Sequence, residues 1–184
     1  HDDARQDDLL GKFTQKSLRQ WKRQLPGHRS FTVLRHPVAR AHAAFCIKIL
    51  TTDEGSLTEI RNILPNQFKL PIPAKNPDSA YTSLEHRAAF LAFLKFVKSN
   101  IASQTTIRVD AHWETQSQAL QGFAEFASPD LILREGRLEE DLGIVAAQVG
   151  KSTMPKIADV TDTHAALLAE IYDDEIEAAV RDVY

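Results

Sequence analysis

Apolar side chains recur at helical spacing over residues 7–25, where Leu10, Phe13, Leu18, Trp21 and Leu25 are interleaved with Lys12, Lys16, Arg19, Lys22 and Arg23. This spacing predicts an amphipathic helix with a basic outer face, and Pro26-Gly27 stops it. Residues 30–34 are rich in β-formers and predict a short buried strand. Arg35-His36-Pro37 then forms a basic turn, and Pro37 at a first helical position suits a helix over 38–50. Ser56, with Glu59 three residues on, predicts a capped short helix over 56–64. Residues 65–83 hold four prolines and predict a long loop of the functional or mobile kind. The clearest helix is 83–101, with Ser83 as its cap, Ala88, Leu91, Leu94 and Val97 on one face, and Phe90, Phe93 and Phe96 widening the apolar surface. Residues 106–127 are irregular, 130–134 form a second β-rich run, and 138–149 predict a helix ended by Gly150. Residues 151–158 read as a loop and 162–182 as one or two amphipathic helices.

Strands separated by helices predict an α/β fold, read as a single domain over residues 1–184. Two clear strands are too few for a complete sheet, so the remainder is expected to be missing from the chain or hidden in weakly patterned segments. Composition adds little, with 43% hydrophobic and 26% charged residues placing the chain among ordinary globular proteins. The longest apolar run, Ala88 to Leu94, is seven residues, far short of the ~20 that a membrane helix needs. A single cysteine, Cys46, excludes an internal disulfide framework, and with no visible signal peptide it implies a cytoplasmic location.

Charge changes the picture more. The net charge of −3 divides into +6 over residues 1–50, +2 over 51–109 and −11 over 110–184. A basic first part attracts an anionic ligand or is a solvated helix face. With no basic run interleaved with aromatics, nucleic acid is not an expected partner.

Three places carry candidate chemistry. Arg35-His36-Pro37, with Arg40 three residues further, follows a strand and opens a helix. Helix N-termini present unpaired N–H groups to anions, and a guanidinium adds a fork matched to phosphate. The alternative is that Arg35 pairs with an acidic residue of the last third. Asp110-Ala111-His112-Trp113 offers His112 as a general base, or as a packing partner of Trp113. Glu135 and the Glu139-Glu140-Asp141 run suit acid–base chemistry, or more simply offset a helix dipole. The seven histidines are scattered without metal-ligand spacing, so no metal is expected, and Cys46 reads as buried. No Gly-rich phosphate loop is present.

Taken together, these segments resemble the family-2 sulfotransferases of the carbohydrate and nodulation type. The stretch from Phe31 through Arg35, Pro37 and Arg40 to Phe45 is similar to that family's "V-x-R-D-P-x-x-R-x-x-S-A-Y/F". Asp110 to Gln116 resembles its "D-x-H-W-x-P-Q", Leu131 to Asp141 its strand, Glu and "L-x-x-D" segment, and Ile171 to Tyr184 its C-terminal helix ending near a Tyr. The four segments keep the family's order across residues 31–184.

The resemblance implies a helix-rich, P-loop-like three-layer α/β fold. It implies sulfuryl transfer from 3′-phosphoadenosine-5′-phosphosulfate (PAPS) to a hydroxyl or amine of a glycan or small molecule, without a metal. Arg35 is expected to bind the donor's 3′-phosphate, with Arg40 beside it, and His112 is the candidate base. Two departures stand out. Ala43 occupies the position of the family's second phosphate ligand, a Ser, and the lost hydroxyl contact is worth about 1.5–3 kcal/mol. The family's Lys-containing phosphosulfate loop has no counterpart in residues 1–34, so part of the N-terminal strand–loop–helix is expected to be missing here. The alternatives are a degenerate, non-catalytic nucleotide- or anion-binding module, and a relative of the P-loop kinases.

Overall fold

The structure is a computed structural model and describes residues 14–153, 157 and 164–184. Helix α1, Gln15–Gln24, starts at Thr14, whose hydroxyl accepts the Ser17 N–H while Ser17 reciprocates. Residues 7–13 of the helix expected over 7–25 lie outside the described residues. Strand β1, Phe31–Leu34, leads through Arg35-His36 into α2, Pro37–Ala44. Pro37 fills the first turn, where its missing N–H costs nothing. The segment continues as a π-helical turn over Phe45–Leu50 rather than as a uniform α-helix.

Helix α3, Thr58–Gln67, starts later than expected because Leu57 stands at the cap, and the Ser56 hydroxyl bonds Thr58 instead of the helix. It also runs through Pro65 to Gln67, and just beyond the Phe68 cap Lys69 adopts the left-handed conformation at φ 55°. The proline-rich loop is therefore shorter than 65–83. It is also tied down, because the buried Arg61 guanidinium donates to the Pro73 carbonyl at 2.5 Å.

Helix α4, Ser83–Ile101, is the spine of the core. Its cap is Thr82 rather than Ser83, in a reciprocal box with Glu85. Ala89, Phe90, Phe93, Leu94, Phe96 and Val97 are all buried. Phe93 meets Phe45 at 5.4 Å and stands edge-on to Trp113 at 5.8 Å between ring centres. Helix α5, Gln116–Ala127, resolves the second half of the irregular stretch. Strand β2, Leu131–Arg134, is followed by a 3₁₀ turn, Glu135–Arg137, and by α6, Leu138–Gln148, beyond which Gly150 takes φ +72°. The C-terminal region forms two helices, α7, Ala165–Ile171, and α8, Asp174–Val183. Ile176 and Val180 of α8 are buried in the core, and Lys98 of α4 bonds Asp182 at 2.5 Å.

Among the described residues the sheet has two strands, parallel, with Leu34 opposite Arg134. The protein is thus a helix-rich α/β structure with a small parallel sheet.

Candidate functional site

The register of the sheet is what builds the site. Because Leu34 pairs with Arg134, the next residues, Arg35 and Glu135, leave the strands side by side. The Arg35 Nε lies 2.8 and 3.0 Å from the two carboxylate oxygens of Glu135. Arg35 is 35% exposed and Glu135 45%, so the pair faces solvent. The alternative seen in the sequence, an acidic partner from the last third, is therefore realised. Glu139, Glu140 and Asp141 occupy the first turn of α6, where they offset its dipole. Asp141 also accepts the Arg134 backbone N–H at 2.9 Å.

Gln116, at the start of α5, holds the Arg35 backbone from the other side. The Arg35 N–H donates to Gln116 Oε1 at 3.0 Å, and Gln116 Nε2 donates to the Arg35 carbonyl at 2.9 Å. The side-chain amide thereby imitates a strand neighbour just where β1 ends. Arg40, one turn into α2, donates to the Glu114 carbonyl at 2.6 Å and to the Ala111 carbonyl at 2.7 Å. Its guanidinium ties the turn over residues 110–115 to α2. From α8, the Tyr184 hydroxyl donates to the Trp113 carbonyl at 3.1 Å, and burial raises its pKa. Trp113 is fully buried, with its indole N–H on Asn100 at 2.8 Å. The four sequence segments singled out above thus meet in one place.

His112 is half-exposed, and its Nδ1 lies 2.5 Å from Asp110 Oδ1, which also accepts the His112 backbone N–H at 2.9 Å. With the proton on Nδ1, the outward Nε2 carries a lone pair able to accept a substrate proton. Burial pushes the Asp110 carboxyl up, but the two hydrogen bonds from His112, with the charges of His112 and Lys48, hold it below the usual carboxylate range. His112 does not pack on Trp113 as a core pair, since one is half-exposed and the other fully buried.

Ala43 is buried on α2 and brings no hydroxyl. Two cavities flank the site. One, of about 360 Å³, lies against the first turn of α2 between His36, Pro37, Val38, Arg181 and Tyr184. The other, of about 570 Å³, is lined by Trp21, His28, Phe31 and Val33, with Arg40 and Gln116 also in its wall. Both are within the size range of small-molecule sites.

Sequence reasoning placed Gln116 only as the last residue of its motif and gave it no role, because its amide acts on a backbone 81 positions away. It missed a buried cluster. The histidines that look scattered in sequence are partly gathered by the fold, which brings His42 and His86 together with Cys46. The i,i+4 spacing of His42 and Cys46 on one helical face was the available signal. Burial holds His86 well below the ordinary imidazole range, at about 4, and the nearby His164 adds to the shift.

A model of the sulfotransferase family matches residues 1–177 of the chain. No curated protein and no solved structure gives a significant match.

Proposed function

The chain belongs to the sulfotransferase family, and on that premise we propose that it moves a sulfuryl group from PAPS to a hydroxyl or amine of a glycan or small molecule. The observation that carries this reading is the convergence of Arg35, Gln116 and Tyr184 around the first turn of α2, with Arg40 tying the turn that carries His112 to that helix.

Arg35 and the leading N–H groups of α2 hold the donor's 3′-phosphate. Those N–H groups have no acceptor within the helix, and the helix dipole favours an anion there. Glu135 must release Arg35 for this to happen. An exposed ion pair is worth only about 0.2–1 kcal/mol, and a phosphate adds the unpaired N–H groups of the helix start to the same guanidinium. The exchange therefore favours the phosphate. Arg40 acts as a positioning residue, since its guanidinium is engaged with the Ala111 and Glu114 carbonyls.

During transfer the acceptor oxygen bonds to sulfur as the bond from sulfur to the donor's phosphate oxygen breaks. The acceptor's proton passes to His112 Nε2, and Asp110 steadies the imidazolium that forms. Positive charge near the moving group stabilises the transition state. The fold is read as the P-loop-like three-layer type, supported by parallel β1 and β2 and by the basic turn from β1 into α2. No described helix is long and apolar enough to cross a membrane, and the lone buried Cys46 supports a reducing, cytoplasmic setting.

The test is thermal unfolding with and without adenosine 3′,5′-bisphosphate. At 100 times its dissociation constant a ligand adds about 2.7 kcal/mol, which raises Tm by about 5–11 °C for a chain of this size. The rise is expected in the wild type and absent in Arg35→Ala. A wild type that does not respond at millimolar nucleotide overturns the reading. Binding without sulfuryl transfer to any acceptor would favour the non-catalytic module, which Ala43 and the Arg35–Glu135 pair also support.

A further inference from the structure

The described residues include one place where three metal-ligating side chains converge away from the site above. His42 lies on α2, Cys46 on the following π-helical turn, and His86 on α4. All three are buried, with exposures of 1%, 1% and 0%. The two Nε2 atoms are 2.8 Å apart, and Cys46 Sγ lies 3.6 Å from His42 Nε2 and 4.0 Å from His86 Nε2.

We propose that His42 Nε2, Cys46 Sγ and His86 Nε2 form a binding site for a single divalent zinc-class metal ion that clamps α2 to α4. Tetrahedral bonds of about 2.0–2.1 Å to nitrogen and about 2.3 Å to sulfur require N···N near 3.4 Å and N···S near 3.6 Å. The distances above approach those values with adjustments of about half an ångström. One thiolate with two imidazoles is a donor set suited to zinc rather than to calcium or magnesium, which take oxygen.

A second observation points the same way. Among the described residues His86 Nδ1 is buried with no hydrogen-bond partner, and the polar contacts of that ring run from Nε2 toward His42 and Cys46. In a metal-free pair one Nε2–H donates to the other, and His86 Nδ1 stays unpaired in either tautomer. The ring is thus aimed at the cluster despite a buried polar atom on its far side. The His164 ring, centred 6.5 Å from that of His42, lies beside the cluster. The helix turn that holds Cys46 is itself π-helical, a feature concentrated at functional sites. Binding would release the Cys46 thiol proton to solvent and leave both ring protons on Nδ1.

The site is independent of the sulfuryl-transfer reading, and its test needs no activity. The full chain, stripped with a chelator, is titrated with Co²⁺ and followed by absorption until the spectrum is constant. One equivalent per chain is expected, with intense visible bands of tetrahedral cobalt and a near-ultraviolet thiolate-to-cobalt band that Zn²⁺ removes. The chain has a single cysteine, so that band in the monomeric complex reports Cys46 without any variant. Cys46→Ser, checked for folding by circular dichroism, is expected to lose the band, and His86→Ala to weaken binding by at least about 100-fold, beyond what outer-shell changes cost. Weak octahedral cobalt bands without the thiolate band in the wild type would overturn the proposal. So would binding of equal strength in folded Cys46→Ser.

Discussion

Replacing Arg40 by alanine separates two roles that the sequence leaves merged, anion ligand and internal strut. The structure gives its guanidinium two backbone acceptors, the Glu114 carbonyl at 2.6 Å and the Ala111 carbonyl at 2.7 Å. Each is a hydrogen bond from a charged donor, worth about 1.5–3 kcal/mol. The residue is half-buried, so water reaches part of the space left behind and the lower end of that range applies. A loss of about 2–3 kcal/mol follows, or about 4–12 °C in Tm for a chain of this length. Arg40→Lys can keep one of the two bonds and should recover about half of the loss. The assay is urea unfolding at fixed salt, paired with adenosine 3′,5′-bisphosphate affinity at a temperature where both variants remain folded. Affinity should fall far less than in Arg35→Ala. If Arg40→Ala kept its stability within about 0.5 kcal/mol, the usual span of neutral surface changes, while nucleotide binding vanished, the strut assignment would be refuted.

Glu135→Gln frees Arg35 from its charged neighbour and should tighten nucleotide binding severalfold by isothermal calorimetry, while looser binding would mean that Glu135 orients Arg35 for the ligand. Arg61→Ala removes a buried guanidinium from the Pro73 carbonyl and should cost about 2–4 kcal/mol in chemical unfolding, with proteolysis appearing first in the proline-rich loop. The carboxyl of Asp110 titrates below its ordinary 3.8 in the folded chain, so the folded state binds fewer protons than the unfolded one as pH falls past that value. Its contribution is present above the unfolded value and is lost as pH drops through the lower folded one. The difference in unfolding free energy between wild type and Asp110→Asn should therefore shrink below about pH 4, and a difference constant down to pH 2 would contradict the assigned shift.

Legibility in the sequence tracks the range of the interaction that decides each feature. The spine α4 follows from its own apolar spacing, and the strand–turn–helix around Arg35 from β-formers, a proline and a helical pattern within about 20 residues. Cap positions slip by one or two residues because neighbouring hydroxyls compete. Thr82 wins over Ser83 since its box closes on Glu85, and Ser56 turns to Thr58. Pro65 looked like a helix stop, yet α3 continues to Gln67, because burial of Leu64 in the core outweighs one missing N–H. The partners of Arg35 were legible only as a class. The charge distribution allows an acid from the last third to face it, but Glu135 is selected by the strand register, which no local pattern encodes. Gln116 and the meeting of His86 with His42 and Cys46 depend on contacts spanning 40 residues or more, and of these only the i,i+4 spacing of His42 and Cys46 leaves a trace along the chain.

The two tryptophans sit in opposite surroundings, and this divides the protein's optical signal. Trp113 is sealed among Phe93, Phe96 and Asn100, while Trp21 is 36% exposed on α1 with the His28 ring 5.1 Å away. Excitation should therefore yield two emitters, a blue one insulated from dissolved iodide and a red one that iodide quenches. Loosening of α1 would be read from the red emission alone, and melting of the α4 core from the blue one shifting toward it, so a single unlabelled sample reports which part of the molecule opens first.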